Sequence, residues 1–136
     1  MIRILIIEDE EPIRRVLVRI LSEEDRQYEI TEAIDGKKGF NLLEKETFDL
    51  VLCDIKMPIM DGIEVLQKAN SKKISTPFIM LTGHGNVETA VEAMKLGAYD
   101  FISKPPDLNR LLTAVRHALE NKSLRNENKK LKREVA

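Results

Sequence analysis

The chain has few of the features that mark disulfide-bonded or membrane-spanning proteins. It contains a single cysteine, Cys53, which lies within an apolar run, so no disulfide framework can form and a cytoplasmic location is expected. No apolar run approaches the length of a membrane span, and acidic residues begin as early as Glu8, which argues against a signal peptide. The sequence therefore predicts a protein that does not associate with a membrane.

Charge of one sign is also scarce. The 22 basic and 23 acidic residues leave a formal net charge of −1. Residues 120–136 hold six Lys or Arg and three Glu, a net of +3, which leaves −4 on residues 1–119. This balance is too mild to favour direct binding of nucleic acid. Apolar residues make up 43% of the sequence, enough for one domain with a hydrophobic core.

Five segments carry strong strand signals. Residues 2–7 and 78–82 are almost uniformly apolar, as expected for strands that are covered on both faces of a sheet. Residues 28–33 alternate more between apolar and polar side chains, which is typical of an edge strand. The other two predicted strands are 50–53 and 99–103.

Helical periodicity fills the intervals between the strands. Three segments place apolar residues at helical spacing, and they begin after Pro12, at the predicted N-cap Asn86 and after the predicted cap Asp107. Gly97 is expected to end the second of these helices. The apolar positions are Ile13, Val16, Leu17, Ile20 and Leu21; Val87, Ala90, Val91 and Met94; and Leu108, Leu111, Leu112, Val115 and Leu119.

Strand and helix therefore alternate along residues 1–119. With weaker helices predicted at about 37–46 and 63–70, one helix follows each strand in a (βα)5 pattern. This alternation predicts an α/β fold with a doubly wound, five-stranded parallel sheet, right-handed crossovers and helices on both faces. We predict a single domain over these residues.

Residues 120–136 are predicted to extend the last helix. Their only large apolar residues are spaced as in a heptad repeat, and Asn at position a favours a paired coil in one register. Fewer than three heptads are present, so a charged helix end that pairs with nothing is an equal alternative to a coiled-coil linker. With Leu124 and Leu131 at position d, the a positions are Asn121, Asn128 and Val135.

Polar side chains mark the ends of four predicted strands. Glu8 and Asp9 follow the first strand, Asp54 follows the third, Thr82 ends the fourth and Lys104 follows the fifth. The carboxyl ends of parallel strands meet at one edge of the sheet, where ligands bind in open α/β folds. A single acid there could simply cap a helix or face water. All five groups at the correct strand ends favour a functional site.

The chemistry of this set points to phosphoryl transfer. Three close carboxylates repel one another unless a cation lies among them, and Mg²⁺ prefers such oxygen ligands. The absence of His, Cys and Met from this edge argues against zinc or copper. Lys104 offers a compact cation for a phosphoryl oxygen, and Thr82 can donate a hydrogen bond. We predict Asp54 as the acceptor, with Glu8 and Asp9 suited to the ion.

Four motifs resemble those of the receiver domains of two-component response regulators. They occur in the family's order, and the resemblance extends from residue 2 to about residue 119. It implies a flavodoxin-like (CheY-like) fold with strand order 2-1-3-4-5. The motifs are ILIIEDEEP (4–12), CDIKMPIMDG (53–62), IMLTGHG (79–85) and GAYDFISKP (97–105).

The resemblance implies roles for the acidic residues and their neighbour. Asp54 would be the phosphoacceptor, and Glu8, Asp9 and Asp54 would hold Mg²⁺ together with the main-chain carbonyl of Lys56. Glu8 departs from the family, in which Asp is commoner at that position, and its longer side chain would alter how metal or water is held. The Lys56 side chain would tune the rate at which the phosphoryl group is hydrolysed.

The remaining site residues also take their roles from the resemblance. Thr82 would be the switch hydroxyl, Lys104 the phosphate-pairing lysine and Phe101 the aromatic switch residue. His84 would border the phosphoryl group and tune its hydrolysis, although a solvated loop histidine is the simpler interpretation. The bond between Lys104 and Pro105 is often cis in this family.

A subgroup of the family resembles the chain further. LTGHG, GAYDFISKP and the long basic terminal helix resemble the receivers of enhancer-binding transcription activators of the nitrogen-regulation class. The resemblance implies a phosphorylation switch that serves a sensor histidine kinase, forms a homodimer through its fourth helix, fifth strand and fifth helix, and regulates transcription through other domains. Such a switch is not an enzyme beyond its own phosphotransfer and dephosphorylation.

Three other functions are weighed against this one. A Mg²⁺-dependent phosphohydrolase would usually carry a second acid soon after the nucleophile, where this chain has Ile55 and Lys56. A flavodoxin-like cofactor binder needs a loop rich in Ser, Thr or Gly after the first strand, where residues 8–11 are all acidic. A purely structural dimerisation module shares the fold, and only phosphorylation chemistry separates it from the switch.

Overall fold

Five strands and five helices alternate along the chain, which confirms the (βα)5 prediction. The computed structural model describes residues 1–83 and 87–135, with side chains described as far as residue 121. The elements are β1 (Ile2–Ile7), α1 (Glu11–Glu24), β2 (Tyr28–Ala33), α2 (Gly36–Lys45), β3 (Leu50–Asp54), α3 (Gly62–Ser71), β4 (Phe78–Thr82), α4 (Val87–Lys95), β5 (Asp100–Ser103) and α5 (Leu108–Val135).

Helix α5 runs without a break past the predicted domain boundary at residues 119 and 120. The predicted cap Asn86 and the heptad side chains from Leu124 onward lie outside the described residues. The division into a domain and a coiled-coil linker therefore stays a prediction. No helix within residues 1–83 and 87–135 is long and apolar enough to cross a bilayer.

The strands form one parallel sheet in the order β2-β1-β3-β4-β5, as the resemblance implied. β2 lies at an edge, in agreement with its alternating sequence. The register places Asp54 beside Leu81 and Thr82 beside Ser103. Strands β3, β4 and β5 therefore bring their last residues to the same edge of the sheet.

The sheet is covered on both faces, which explains why its strands are apolar runs. On one face Val51 and Met80 belong to a core cluster with residues of α2 and α3. On the other face Leu52 and Ile79 pack with residues of α1 and α5. All four side chains are fully buried. This arrangement confirms the doubly wound α/β class.

Several apolar residues of the predicted helix stripes are exposed, which corrects the sequence-based interpretation. In α4 the small residues Ala90 and Ala93 face the core and are buried. Small side chains let a helix backbone approach the sheet closely, so the larger neighbours on either side remain outside the contact. The exposed residues are Val16, Val87, Val91, Met94 and Leu108.

Side-chain caps and a left-handed glycine set the helix ends. Asp107 accepts a hydrogen bond from the N–H of Arg110 at 2.9 Å, as predicted for the cap of α5. Helix α4 ends at Lys95, and Gly97 follows it with a φ of 101°, while the N–H of Ala98 donates to the carbonyl of Ala93 at 3.0 Å. This is a Schellman motif, and it confirms the predicted stop.

Gly62 is required where α3 begins, because the helix passes close to the end of β3. A Cβ atom at this position would lie 2.3 Å from the carbonyl oxygen of Asp54 and 2.8 Å from the Cα of Ile55. The N–H of Gly62 also donates to the carbonyl of Ile55 at 2.7 Å. Any larger residue must push the backbone of α3 away from the strand end.

Gly62→Ala is therefore expected to destabilise the fold by about 3 kcal/mol, the upper range for overpacking. Gly97→Ala is the matched control, since a Cβ there would meet nothing within 4 Å and only the φ of 101° is unfavourable. That variant should cost about 1 kcal/mol. Urea unfolding measures both changes, and equal losses would show that the close approach at Gly62 is not restrictive.

Candidate functional site

Three carboxylates converge at the carboxyl-end edge of the sheet, as expected from the strand order. Glu8 and Asp9 follow β1, and Asp54 is the last residue of β3. One carboxylate oxygen from each lies within 4.8 Å of the other two. Glu8 is fully buried and Asp54 is 3% exposed. The cluster is thus a largely buried concentration of negative charge.

Lys104 is the cation that contacts this cluster. Its Nζ donates a hydrogen bond to Oδ2 of Asp54 at 2.7 Å. The same Nζ lies 2.7 Å from Oε1 of Glu8, an ion pair that does not meet hydrogen-bond geometry. The main-chain N–H of Lys104 donates to the carbonyl of Thr82 at 2.7 Å, which ties it to the end of β4. The peptide bond from Lys104 to Pro105 is cis, as the resemblance implied.

Burial decides the protonation of Glu8. Loss of solvent and the neighbouring Asp54 carboxylate raise the pKa of Glu8 from 4.5 to about 8, and the Lys104 ammonium only partly opposes this shift. Burial alone would lower the pKa of Lys104, but its contacts with Asp54 and Glu8 outweigh that effect and raise it. The raised pKa favours the protonated form of Glu8, which competes with its ion pair to Lys104.

Several acidic oxygens in the cluster have no hydrogen-bond donor among the described residues. They are both carboxylate oxygens of Glu8 and Oδ1 of Asp9, and all three are buried. Buried acceptors are normally satisfied, so this arrangement fits a cation that uses oxygen ligands. The nearby Cys53 thiol is a poor alternative ligand, because burial and the adjacent carboxylates raise its pKa well above the ordinary value.

The structure describes three of the other predicted site residues. Thr82 ends β4 and is 4% exposed. Lys56 follows the acceptor by two residues and has an exposed side chain. Phe101 lies on β5 and is 38% exposed, so its ring is partly outside the core. His84 lies outside the described residues, and its rate-tuning role stays a prediction.

Arg14 supports the site and was missed by the sequence analysis. Its guanidinium donates to the main-chain carbonyl of Glu8 at 3.0 Å and to Oε1 of Glu32 at 3.1 Å. Only 13% of its side chain is exposed. The sequence could have indicated this residue, because Arg14 is a charged side chain between Ile13 and the buried Leu17 on the side of α1 that faces the sheet. The bond fixes the peptide of Glu8 beyond the end of β1.

The response regulator receiver domain family matches residues 4–116 of the chain. This match covers most of the 136 residues. Together with the parallel sheet, the acidic cluster and Lys104, it shows that the chain belongs to the response regulator receiver domain family. The recognition of this family from the four sequence motifs is confirmed.

Comparison with individual proteins shows which kind of response regulator the chain is similar to. Regulatory protein AtoC of Escherichia coli (strain K12) is 40% identical over 125 residues, which are 92% of this chain and 27% of that protein. Nitrogen assimilation regulatory protein NtrX of Azorhizobium caulinodans is 38% identical over 131 residues, which are 95% of this chain and 28% of that protein. The subgroup resemblance is therefore also confirmed.

The crystal structure of NtrX from Brucella abortus superposes on the chain with a TM-score of 0.88 and 36% sequence identity. The match covers 96% of this chain and 30% of that one. Other relatives include transcriptional regulatory proteins, to which the chain is homologous. The chain spans less than a third of the length of each of these regulators.

The raised pKa of Glu8 predicts a pH dependence of stability in metal-free protein. Between its ordinary value of 4.5 and about 8, the folded state binds more protons than the unfolded state. The free energy of unfolding should therefore fall as the pH rises through this range, with a slope of at most about 1.4 kcal/mol per pH unit. Urea unfolding in EDTA from pH 5 to 8.5 measures the slope.

Glu8→Gln is the control for this prediction, because it keeps the shape of the side chain and cannot ionise. Its stability curve should be flatter than that of the wild type over the same range. If both proteins show the same slope, another group is responsible and Glu8 is already ionised in the folded state.

Proposed function

We propose that the chain is a phosphorylation-controlled switch of two-component signalling, with Asp54 as the phosphoacceptor and a sensor histidine kinase as the donor. The observation that carries this proposal is the buried carboxylate cluster with Lys104 2.7 Å from Oδ2 of Asp54. A charge-bearing acceptor and a cation for the incoming phosphoryl oxygens are thus in contact. The exchange takes place in the cytoplasm.

The transfer uses a carboxylate oxygen of Asp54 as the nucleophile. This oxygen forms a bond to phosphorus while the bond from phosphorus to the imidazole nitrogen of phosphohistidine breaks. The electron pair of the broken bond stays on the imidazole, which then takes up a proton. Lys104 must release Oδ2 of Asp54 and pair with a phosphoryl oxygen instead, an exchange that its flexible side chain permits.

Glu8, Asp9 and Asp54, with the main-chain carbonyl of Lys56, are the groups that would hold Mg²⁺. The bound ion would neutralise the charge that develops on the transferring phosphoryl group. The orphaned oxygens of Glu8 and Asp9 support this assignment. Binding requires Glu8 to lose its proton, so the metal and the proton compete for the same carboxylate.

The switch response is assigned to Thr82 and Phe101. Both lie on the paired strands β4 and β5, where Thr82 neighbours Ser103 and Met80 neighbours Phe101. A Thr82 hydroxyl drawn towards the phosphoryl group would leave space that the partly exposed Phe101 ring can fill. The result is a shift between two populated conformations.

The surface formed by α4, β5 and α5 is the proposed dimer interface. We assign to it an isologous two-fold homodimer, the usual symmetry for such contacts. The apolar character of this surface supports the assignment. Separately, we propose that the domain itself binds no nucleic acid and that it regulates transcription only through other domains. The exposed apolar residues of this surface are Val87, Val91, Met94, Phe101 and Leu108.

No separate enzymatic activity is proposed beyond phosphotransfer to Asp54 and its hydrolysis. A phosphohydrolase would need an acid close behind the nucleophile. The next two residues are Ile55, which is 3% exposed, and the cationic Lys56. Neither is the carboxylic acid that such an enzyme usually carries at this place.

Intact mass measurement after incubation with acetyl phosphate tests the proposed function. The wild-type chain should gain a single phosphoryl group in the presence of Mg²⁺ and none in EDTA. Asp54→Asn should gain none under either condition, because the amide oxygen is a far weaker nucleophile. Circular dichroism of the variant confirms that it is folded.

The opposite result is equally informative. A folded wild-type chain that binds Mg²⁺ and is never phosphorylated would reject the switch and favour the structural dimerisation module. Phosphorylation that persists in Asp54→Asn would place the acceptor at another residue.

A further inference from the structure

The loop after Asp54 contains a strained turn centred on Ile59. The N–H of Met60 donates to the carbonyl of Pro58 at 2.8 Å, which closes a three-residue γ-turn. Ile59 at its centre has a φ of 73°. The γ-turn with positive φ is the rare and strained form, and a β-branched residue in this region is an outlier.

The turn at Ile59 differs from the other non-glycine residue with positive φ in the described part of the chain. Lys73 has a φ of 59° directly after α3, where the N–H of Ile74 donates to the carbonyl of Ala69 at 2.9 Å. Lys73 therefore ends a helix in a Schellman motif, which explains its conformation. Ile59 lies between β3 and α3 and ends no helix, so helix capping does not explain its positive φ.

Burial does not compensate for the strain either. Ile59 is 75% exposed, whereas Met60 is 8% exposed and Met57 packs against the same core cluster. The two methionines hold the loop down on either side, and the turn between them directs Ile59 into solvent. A side chain that is both strained and exposed breaks two local preferences without a gain in folding, which points to function.

The loop lies beside the phosphoacceptor. The hydrogen bond from Gly62 to Ile55 closes it immediately after Asp54, and Gly62 is in close contact with the Asp54 carbonyl. Ile59 is three residues from Gly62, so its Cα lies within about 11 Å of it. Because Asp54 is only 3% exposed, a donor protein must press against the surrounding loops to reach it.

We infer that Ile59 is an apolar anchor that inserts into the surface around the phosphohistidine of the donor protein. This inference rests on the proposed function and adds a contact residue outside the acceptor chemistry. The neighbouring loop residues Glu10, Glu11 and Lys56 are charged and exposed, so Ile59, next to the exposed Pro58, provides the large aliphatic side chain of this contact. An aromatic or aliphatic anchor that fills a pocket, with a polar rim around it, is the arrangement that a stable binding interface needs at its centre.

The occupant is a phosphodonor protein and not a second copy of this chain, because the turn borders the acceptor rather than the surface formed by α4, β5 and α5. A small donor such as acetyl phosphate does not extend to Ile59. The anchor should therefore matter for transfer from a protein and not for transfer from a small molecule. This difference separates the inference from the proposed function.

The test compares Ile59→Gly with Ile59→Val in the full chain. Purified soluble fragments of the source organism's histidine kinases, autophosphorylated with ATP, are screened, and the fragment that labels the wild type fastest is used. Ile59→Gly should lower kcat/KM for transfer from this kinase on the order of tenfold, the effect of losing one buried aliphatic side chain. Ile59→Val keeps the apolar, β-branched side chain and should stay near the wild type.

Two further measurements distinguish the explanations. Labelling by acetyl phosphate should be unchanged in Ile59→Gly, and its urea midpoint should hold or rise, because glycine relieves the strained turn. A slower reaction with acetyl phosphate, or a lower urea midpoint, would assign Ile59 to the acceptor or the fold and overturn the inference.

Other outcomes also decide the question. Equal kcat/KM values for kinase transfer to Ile59→Gly and to the wild type would show that Ile59 is not an anchor. A changed oligomeric state of Ile59→Gly in sedimentation would also overturn the inference, because it would assign Ile59 to contact between copies of this chain. If no kinase fragment labels a wild-type chain that acetyl phosphate does label, a protein donor is the wrong occupant. Failure of acetyl phosphate itself would instead reject the proposed function.

Discussion

Repulsion among buried carboxylates is the constraint on which this site depends. The parallel sheet brings Glu8, Asp9 and Asp54 to one edge and removes most of their solvent. The Lys104 ammonium contacts Glu8 and Asp54, and the raised pKa of Glu8 favours its uncharged form, so both effects reduce the repulsion. Under the proposed function, an arriving cation or phosphoryl group would displace these compensating groups, and the site would respond without a large structural change.

The surrounding fold holds this unfavourable cluster in place. Arg14 fixes the peptide of Glu8 after the β1 ladder has ended, and Glu32 holds Arg14 from the neighbouring strand. Gly62 lets α3 begin against the carbonyl of Asp54. These contacts come from the crossover helices α1 and α3 and from strand β2. The acidic groups are therefore fixed by main-chain interactions, which their own repulsion cannot rearrange.

Sequence patterns predicted most of this architecture for physical reasons. Strands covered on both faces must be apolar, so β1, β3 and β4 are visible as continuous runs, and polar residues at their ends mark the edge of the sheet. The exposure of Val87 and Val91 could not be predicted, because periodicity does not show how closely a helix approaches the sheet. The hydrogen bond from Arg14 to the carbonyl of Glu8 could not be predicted either, because it depends on how α1 crosses over the end of β1. The positive φ of Ile59 could not be predicted because a β-branched residue normally avoids that conformation.

Because α5 is long, a small change of its angle at the edge of the sheet produces a large displacement at its far end. Arg110 in its first turn contacts both the carboxylate of Asp100 and the carbonyl of Phe101, so the base of the helix is tied directly to β5. A continuous helix of 28 residues is about 42 Å long, and a tilt of about 5° at its base moves its far end by about 4 Å. If the proposed switch shifts the backbone beside Phe101 by less than an ångström, the far end of α5 would move by about the diameter of a side chain.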